Sequence, residues 1–193
     1  MIKNLLLDMG GVILNVSYQK VIDTFKSYGI ENFDKVYCQA KQVEIIDLFE
    51  EGRCSAEEFR DGVRKLLDKD LTDEQIDKAW FSMILEIPKD VIQLLGLLKL
   101  KYRLFLFSNT NVLHIEYLKK EFERQLGFDL FGCVFDKAFF SNEIHHRKPH
   151  PESFSFVLNQ AGIKPEETLF IDDSKQHLEG AEKVGLNTYW LTG

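Results

Sequence analysis

The feature that most constrains this chain is an alternation of two textures. Short apolar runs rich in β-formers occur at Ile2–Leu7, Tyr102–Phe107, Val134–Phe140, Thr168–Ile171 and Thr188–Leu191. Runs this short and continuous read as strands buried on both faces. Helical spacing fills the gaps. Leu94, Leu95 and Leu98 follow Pro88, and Ile115, Leu118, Phe122 and Leu126 follow Asn109 and Thr110. Phe154, Val157, Leu158 and Ala161 lie between Pro151 and Gly162, and Leu178, Ala181 and Val184 precede Gly185. Proline suits a first helical turn and glycine the position after the last. Strand, helix, strand, helix specifies an α/β fold: a Rossmann-like parallel sheet flanked by helices.

Residues 16–86 break that rhythm. They hold no strand-like run, but they carry helical faces at Ile45/Phe49, Phe59/Val63/Leu66/Leu67 and Ile76/Trp80/Ile84. Ser55 with Glu58, and Thr72 with Gln75, have the spacing of a capping box at a helix start. The expected organisation is a core of 1–15 and 87–193, with a helical module at 16–86 inserted after the first strand.

Composition sets the surroundings. The chain has 193 residues, which at about 150 per domain is one domain with a modest insert. Apolar residues are 45 %, too many for a disordered chain. Asp and Glu (31) outnumber Lys and Arg (24), giving a net charge of −7. That balance argues against nucleic acid as a partner held by general attraction. The run Leu5–Leu7 stops at Asp8, whereas a membrane span needs about 20 apolar residues. The same aspartate spoils a signal-peptide pattern, and no small-residue cleavage site follows. Cys38, Cys54 and Cys133 form no close pair, so neither a disulfide framework nor a cysteine zinc site is expected, and a reducing cytoplasm fits. The oligomeric state is left open.

Open parallel sheets bind ligands beyond the carboxyl ends of their strands. The residues closing the runs are therefore the ones to read. The first run ends in Asp8-Met9-Gly10-Gly11 and the second in Ser108-Asn109-Thr110; Arg147-Lys148-Pro149 follows the third, and the fourth ends in Asp172-Asp173-Ser174. Each has a plain structural reading: a turn, a helix N-cap, a solvated loop, an N-cap beside a helix dipole. Together they put three carboxylates, a hydroxyl, a helix start and a lysine at successive strand ends. Three carboxylates suit a hard divalent cation, and the remaining groups suit an anion such as phosphate.

In order and content, Asp8-x-Gly10-Gly11-Val12, Ser108-Asn109, Lys148-Pro149 and Asp172-Asp173 resemble the four motifs of the haloacid dehalogenase superfamily. The insert after the first motif is similar to the cap of that superfamily's small-molecule phosphatases. The stretches around Asn109, Lys148 and Asp172 resemble a branch containing α-glucose-1-phosphate phosphatase and the N-terminal phosphatase domain of soluble epoxide hydrolase.

That resemblance implies roles. Asp8 would attack phosphorus and carry an aspartyl-phosphate. Ser108 and the Asn109 amide would hold a phosphate oxygen, and Lys148 would pair with nucleophile and phosphate. Mg²⁺ would take Asp8, the Gly10 carbonyl and Asp173, with Asp172 coordinating through water or orienting Lys148. The implied substrate is a small phosphorylated metabolite, a sugar phosphate by analogy.

Gly10 departs from the pattern. Most family phosphatases carry there an aspartate that serves as general acid and base, although the glucose-1-phosphatase branch also tends to glycine. The leaving group could be good enough to depart unaided, His146 or His177 could substitute, or turnover could be lost. The last leaves a binding or regulatory protein as the alternative. A metal-independent 2-haloacid dehalogenase is a further one, disfavoured by the acidic pair Asp172-Asp173. His145, His146 and His150 surround Lys148 in a loop and do not make a zinc site. Tyr18, Glu50 and Arg53 read as surface residues of the insert.

Overall fold

The computed structural model describes residues 1–31, 33 and 43–192. Cys38 lies outside the described residues. Five strands form one parallel sheet: β1 (Asn4–Leu7), β2 (Arg103–Ser108), β3 (Lys137–Phe140), β4 (Thr168–Asp172) and β5 (Asn187–Trp190), in the order β3-β2-β1-β4-β5. β1 is central, and the strand order reverses around it. All carboxyl ends therefore share one edge, with those of β2, β1 and β4 side by side.

Alternation along the strands feeds two cores. Leu5 and Leu7 join Leu104 and Leu106 on one face, against α5 (Lys89–Lys99), α6 (Val112–Leu126) and α7 (Leu130–Val134). Leu6 joins Phe105, Phe107 and Phe170 on the other, against α9 (Pro151–Ala161) and α10 (Lys175–Glu182). Leu6 is fully buried; its truncation to Ala would cost about 2–5 kcal/mol.

Three details differ from the sequence reading. The third run does not begin as a strand. The Asp129 side chain accepts from the Phe131 amide and starts α7, so β3 begins only at Lys137, and the short α8 (Ser141–Ile144) follows it. β5 is an edge strand with Tyr189 and Trp190 exposed, because only β4 pairs with it. Leu94 points outward from α5, and Leu95 alone on that helix is buried.

Among the described residues, four α-helices lie between β1 and α5: α1 (Tyr18–Ser27), α2 (Glu44–Glu50), α3 (Ala56–Leu67) and α4 (Asp73–Phe81). Both expected capping boxes are present, Ser55 with Glu58 at α3 and Thr72 with Gln75 at α4. The four helices enclose their own apolar cluster, in which Phe49 stacks on Phe59 at 4.2 Å. On α2, Ile46 rather than Ile45 is buried beside Phe49. The two chain passages into the insert run together: Asn15 and Ser17 donate to the carbonyls of Glu86 and Met83, and Leu85 donates back to Asn15.

Candidate active site

The sheet edge sets the site. The Asp8 amide donates to the Ile171 carbonyl (3.0 Å), carrying β1 one residue further beside β4. Asp8 thus emerges next to Asp172, the last residue of β4. Lys148 reaches between them. Its Nζ lies 2.7 Å from Asp8 Oδ1 and 2.7 Å from Asp172 Oδ2. The Nζ also lies over the rings of Phe107 and Phe170, 5.4 Å from each centroid. With 1 % exposure, Lys148 is no solvated loop residue.

Asn109 holds Lys148 in place by the backbone. Asn109 Nδ2 donates to the Lys148 carbonyl and Asn109 Oδ1 accepts from the Lys148 amide, both at 2.9 Å. Its side chain is therefore committed to positioning the lysine. The N-cap of α6 is not Ser108, Asn109 or Thr110 but Asn111, which accepts from the His114 amide. That shift leaves Ser108 at the strand end, with only a long contact from its hydroxyl to the Asn109 carbonyl (3.4 Å).

Asp172 has four ties: Lys148, the Ser174 amide at 2.8 Å, and His177 Nδ1 at 3.0 Å from both carboxylate oxygens. Burial pushes its carboxyl up, but Lys148 and His177 more than offset this and hold it at about 2. Asp8 goes the other way. Burial dominates, Lys148 opposes it, Asp172 adds repulsion, and the carboxyl rises to about 6. Burial lowers the Lys148 ammonium, yet its two carboxylates prevail and its pKa is raised.

Asp173 completes an acidic group. Asp8, Asp172 and Asp173 each offer a carboxylate oxygen within 4.8 Å of the others. Gly11, at φ +75°, makes room for this. A Cβ there would meet Asp173 Oδ2 at 2.5 Å. The Trp190 indole donates to the Asp173 carbonyl at 3.0 Å and steadies the turn from β5. Oxygen-only donors, two of them outside the tightest part of the Asp172 network, fit a hard cation such as Mg²⁺.

A cavity of about 280 Å³ opens over this group. Asp8, Gly10, Ser108, Asn109, Lys148 and Asp173 line it, so the expected residues meet there. Asp172 lies just behind. His177 also lines it, whereas His146 packs its ring on Phe156 at 4.8 Å. His145 Nδ1 donates to the Glu51 carbonyl and His150 precedes α9, so the three loop histidines do not converge.

The insert supplies two groups that the sequence reading placed on the surface, Tyr18 and Glu50, and one that it did not single out, Asp47. Tyr18, Asp47 and Glu50 line the cavity, with Arg147 of the core. Burial, then Glu50, Asp8 and the acidic pair, push the Tyr18 hydroxyl well above its ordinary value, so it stays protonated. Arg53, read with Tyr18 and Glu50 as a surface residue, remains outside, 60 % exposed and paired with Glu51. A tyrosine at a helix start and acids on a short helix carry no periodic signal that marks them as cavity residues.

Residues 2–185 match the haloacid dehalogenase-like hydrolase family. The chain belongs to that family. Among its curated relatives, this family member is 33 % identical over 191 residues to D-ribitol-5-phosphate phosphatase of Bacteroides thetaiotaomicron, covering 98 % of this chain and 91 % of that protein. Its fold superposes on a haloacid dehalogenase family enzyme of the same organism, crystallised as an aspartate-to-alanine mutant with magnesium and inorganic phosphate. The TM-score is 0.93 at 38 % identity, over 98 % of this chain and 93 % of that one. A haloacid dehalogenase-like hydrolase of Porphyromonas gingivalis superposes with TM-score 0.88 at 32 % identity, covering 98 % and 91 %. The family assignment bears out the hydrolase reading, and the magnesium found in the Bacteroides structure agrees with the donor set here. The narrower likeness to the glucose-1-phosphatase branch has no counterpart among these relatives. Among the described residues no helix is long and apolar enough to cross a membrane.

Proposed function

We propose that this chain is a Mg²⁺-dependent phosphomonoesterase that hydrolyses a small phosphorylated metabolite through an aspartyl-phosphate on Asp8. One observation carries the reading: Asp8 lines the cavity with Lys148 Nζ 2.7 Å from its carboxylate and a carboxylate oxygen of Asp173 within 4.8 Å. A curated relative that acts as a ribitol-phosphate phosphatase supports the same chemistry.

Asp8 and Asp173, with the Gly10 carbonyl, would hold the metal, and Asp172 would act through Lys148. Bound there, magnesium supplies positive charge that lowers the repulsion between a carboxylate and a phosphate dianion. An Asp8 oxygen attacks phosphorus, forming an O–P bond as the ester P–O bond breaks. The electron pair leaves with the alcohol oxygen. Lys148 holds Asp8 ionised and aimed, and it neutralises charge building on the phosphoryl oxygens. The Ser108 hydroxyl and the Asn109 amide hold a phosphoryl oxygen. Water then attacks the acyl phosphate, restoring Asp8 and releasing phosphate. The helices of 16–86 act as a cap that excludes bulk water and meets the leaving group. Free thiols at Cys54 and Cys133 support a cytoplasmic setting.

The test is phosphate release from a panel of phosphate esters with Mg²⁺, and with EDTA, for the wild type, Asp8→Asn and Asp173→Asn. Wild-type release that EDTA and both variants abolish is expected; full release by Asp8→Asn overturns the mechanism. Acid-quenched protein from a radiolabelled ester should retain label only when Asp8 is present.

Gly10 favours a second reading, ligand binding without turnover, because position 10 offers no proton to the leaving oxygen. His177, the histidine of the expected pair that lines the cavity, is a group able to take that role. A wild type that binds esters but gives neither burst nor turnover would support the second reading.

A further inference from the structure

Three residues that line the cavity outside the acidic group, two of them on α2, are tied together. Arg147 Nη2 donates to Glu50 Oε2 at 2.8 Å, and Arg147 Nη1 donates to Asp47 Oδ1. The side chains of Arg147 and Glu50 are 17 % and 10 % exposed, and that of Asp47 is 43 % exposed. The end of α2 is fixed against the core at the same place. Gly52, at φ +65°, lies so close to the Asn142 carbonyl that a Cβ would meet its oxygen at 2.0 Å, and His145 Nδ1 sits 2.8 Å from the Glu51 carbonyl. The two carboxylates are therefore held by a guanidinium and by backbone docking, not by loose surface contacts.

The charges at this end do not cancel. Asp47 and Glu50 bring two negative charges against one positive charge on Arg147. Among the described residues lining the cavity, the permanent cations are Arg147 and Lys148, and both are already paired with carboxylates, as is His177, whose Nδ1 sits against Asp172. A leaving group bearing a carboxylate or a second phosphate would meet like charge and no uncommitted cation. A neutral polyol would meet carboxylate acceptors, guanidinium N–H donors and the protonated Tyr18 hydroxyl. Sites built to satisfy hydroxyl groups reject analogues that cannot pair with them. The volume of about 280 Å³ lies just below the usual range for ligand sites, which suits a short polyol chain.

We infer that Glu50 and Asp47, held by Arg147, determine specificity at the leaving-group end, selecting phosphate monoesters of neutral polyhydroxylated alcohols and excluding those with a second anionic group. This rests on the phosphatase reading and adds the leaving-group chemistry and the residues that choose it.

The test uses a matched pair of esters with the Mg²⁺-loaded protein: ribitol 5-phosphate, and 5-phosphoribonate, in which a carboxylate replaces the far hydroxymethyl group. The wild type should favour the neutral ester by at least about tenfold in kcat/KM. Glu50→Gln and the half-exposed Asp47→Asn should each lower that preference severalfold, mainly by improving KM for the anionic ester. A structural defect would instead depress both esters together and leave the ratio unchanged. Equal wild-type rates on the two esters, or a ratio that neither variant moves, overturns the inference and leaves the phosphatase reading standing. No release from either ester, nor from p-nitrophenyl phosphate, overturns both.

Discussion

Lys148 Nζ and Asp172 Oδ2 are 2.7 Å apart, and neither side chain has any exposed surface. With Asp8 on its other side, this lysine is the positive charge between two buried carboxylates. Removing one partner of a buried ion pair leaves an uncompensated charge, at a cost of about 3–5 kcal/mol. Lys148→Met should therefore destabilise the fold by that order as well as abolish phosphate release. Urea denaturation of the metal-free protein at pH 7.5 checks the first effect. A loss below about 1 kcal/mol would mean that solvent reaches the pair.

Asp8 should show the opposite sign. Burial lifts its folded pKa from 3.8 to about 6. Between those values the folded protein binds more protons than the unfolded chain, so the contribution of Asp8 to stability falls as pH rises and stays lowered above pH 6. The triad Asp8, Lys148 and Asp172 carries a net charge of −1, and Asp8→Asn brings it to zero. In metal-free protein at pH 7.5, that variant should gain on the order of 1–3 kcal/mol while losing turnover. Thermal melts at pH 5 and pH 7.5 would show the gain shrinking at the lower pH.

His114 joins the insert to the core, and it gives a pH dependence of its own. Nε2 lies 3.1 Å from the Trp80 carbonyl, and Nδ1 lies 3.3 Å from Asn111 Nδ2. An amide donor on one side and a carbonyl on the other select the neutral ring with its proton on Nε2. Burial lowers its pKa from 6.5 to about 4. In that window the unfolded chain binds the extra proton, so stability falls as pH drops from about 6.5 towards 4, by on the order of 3 kcal/mol in all. His114→Gln, which keeps a donor for Trp80, should flatten that part of the profile. Urea midpoints at pH 7 and pH 5 for both proteins measure the difference.

The sheet and the residues at its carboxyl edge were legible because both are written locally. An apolar run ending in Asp8 or in Asp172 states its own strand and its own terminus. The same alternation could not say that Thr188–Leu191 lies at an edge, because edge or centre depends on which strands pair. Nor could it choose among polar residues in a row. Asn109 and Asn111 have equal capping chemistry, and only the exit of β2 decides that Asn111 caps α6 while Asn109 grips Lys148. The insert's share of the cavity was the least legible. Periodicity marks the buried face of α2, but Glu50 meets Arg147 across 97 positions in the chain. No local pattern encodes which core loop that helix end will meet.

Gly10 gives the sharpest remaining prediction. A Cβ at position 10 would lie 3.2 Å from Val16 Cγ1 and 3.6 Å from Val16 Cγ2, a tight fit to one side chain with no backbone in the way. An aspartate can therefore be placed there if Val16 yields slightly, and Val16→Ala would remove the crowding. The position lines the cavity two residues after Asp8, where a carboxylic acid could protonate a departing oxygen. A positioned general acid is worth about 10²–10⁴ in rate when the leaving group is a poor one. Gly10→Asp combined with Val16→Ala should therefore speed hydrolysis of alkyl phosphates by at least about tenfold. Esters of p-nitrophenol, whose leaving oxygen needs no proton, should change little. The ratio of kcat on the two ester types, measured with Mg²⁺ for the wild type, Val16→Ala and the double variant, isolates the acid from the repacking. If the ratio does not move, another group such as His177 already delivers the proton, and His177→Asn in the wild-type background should then slow alkyl esters selectively.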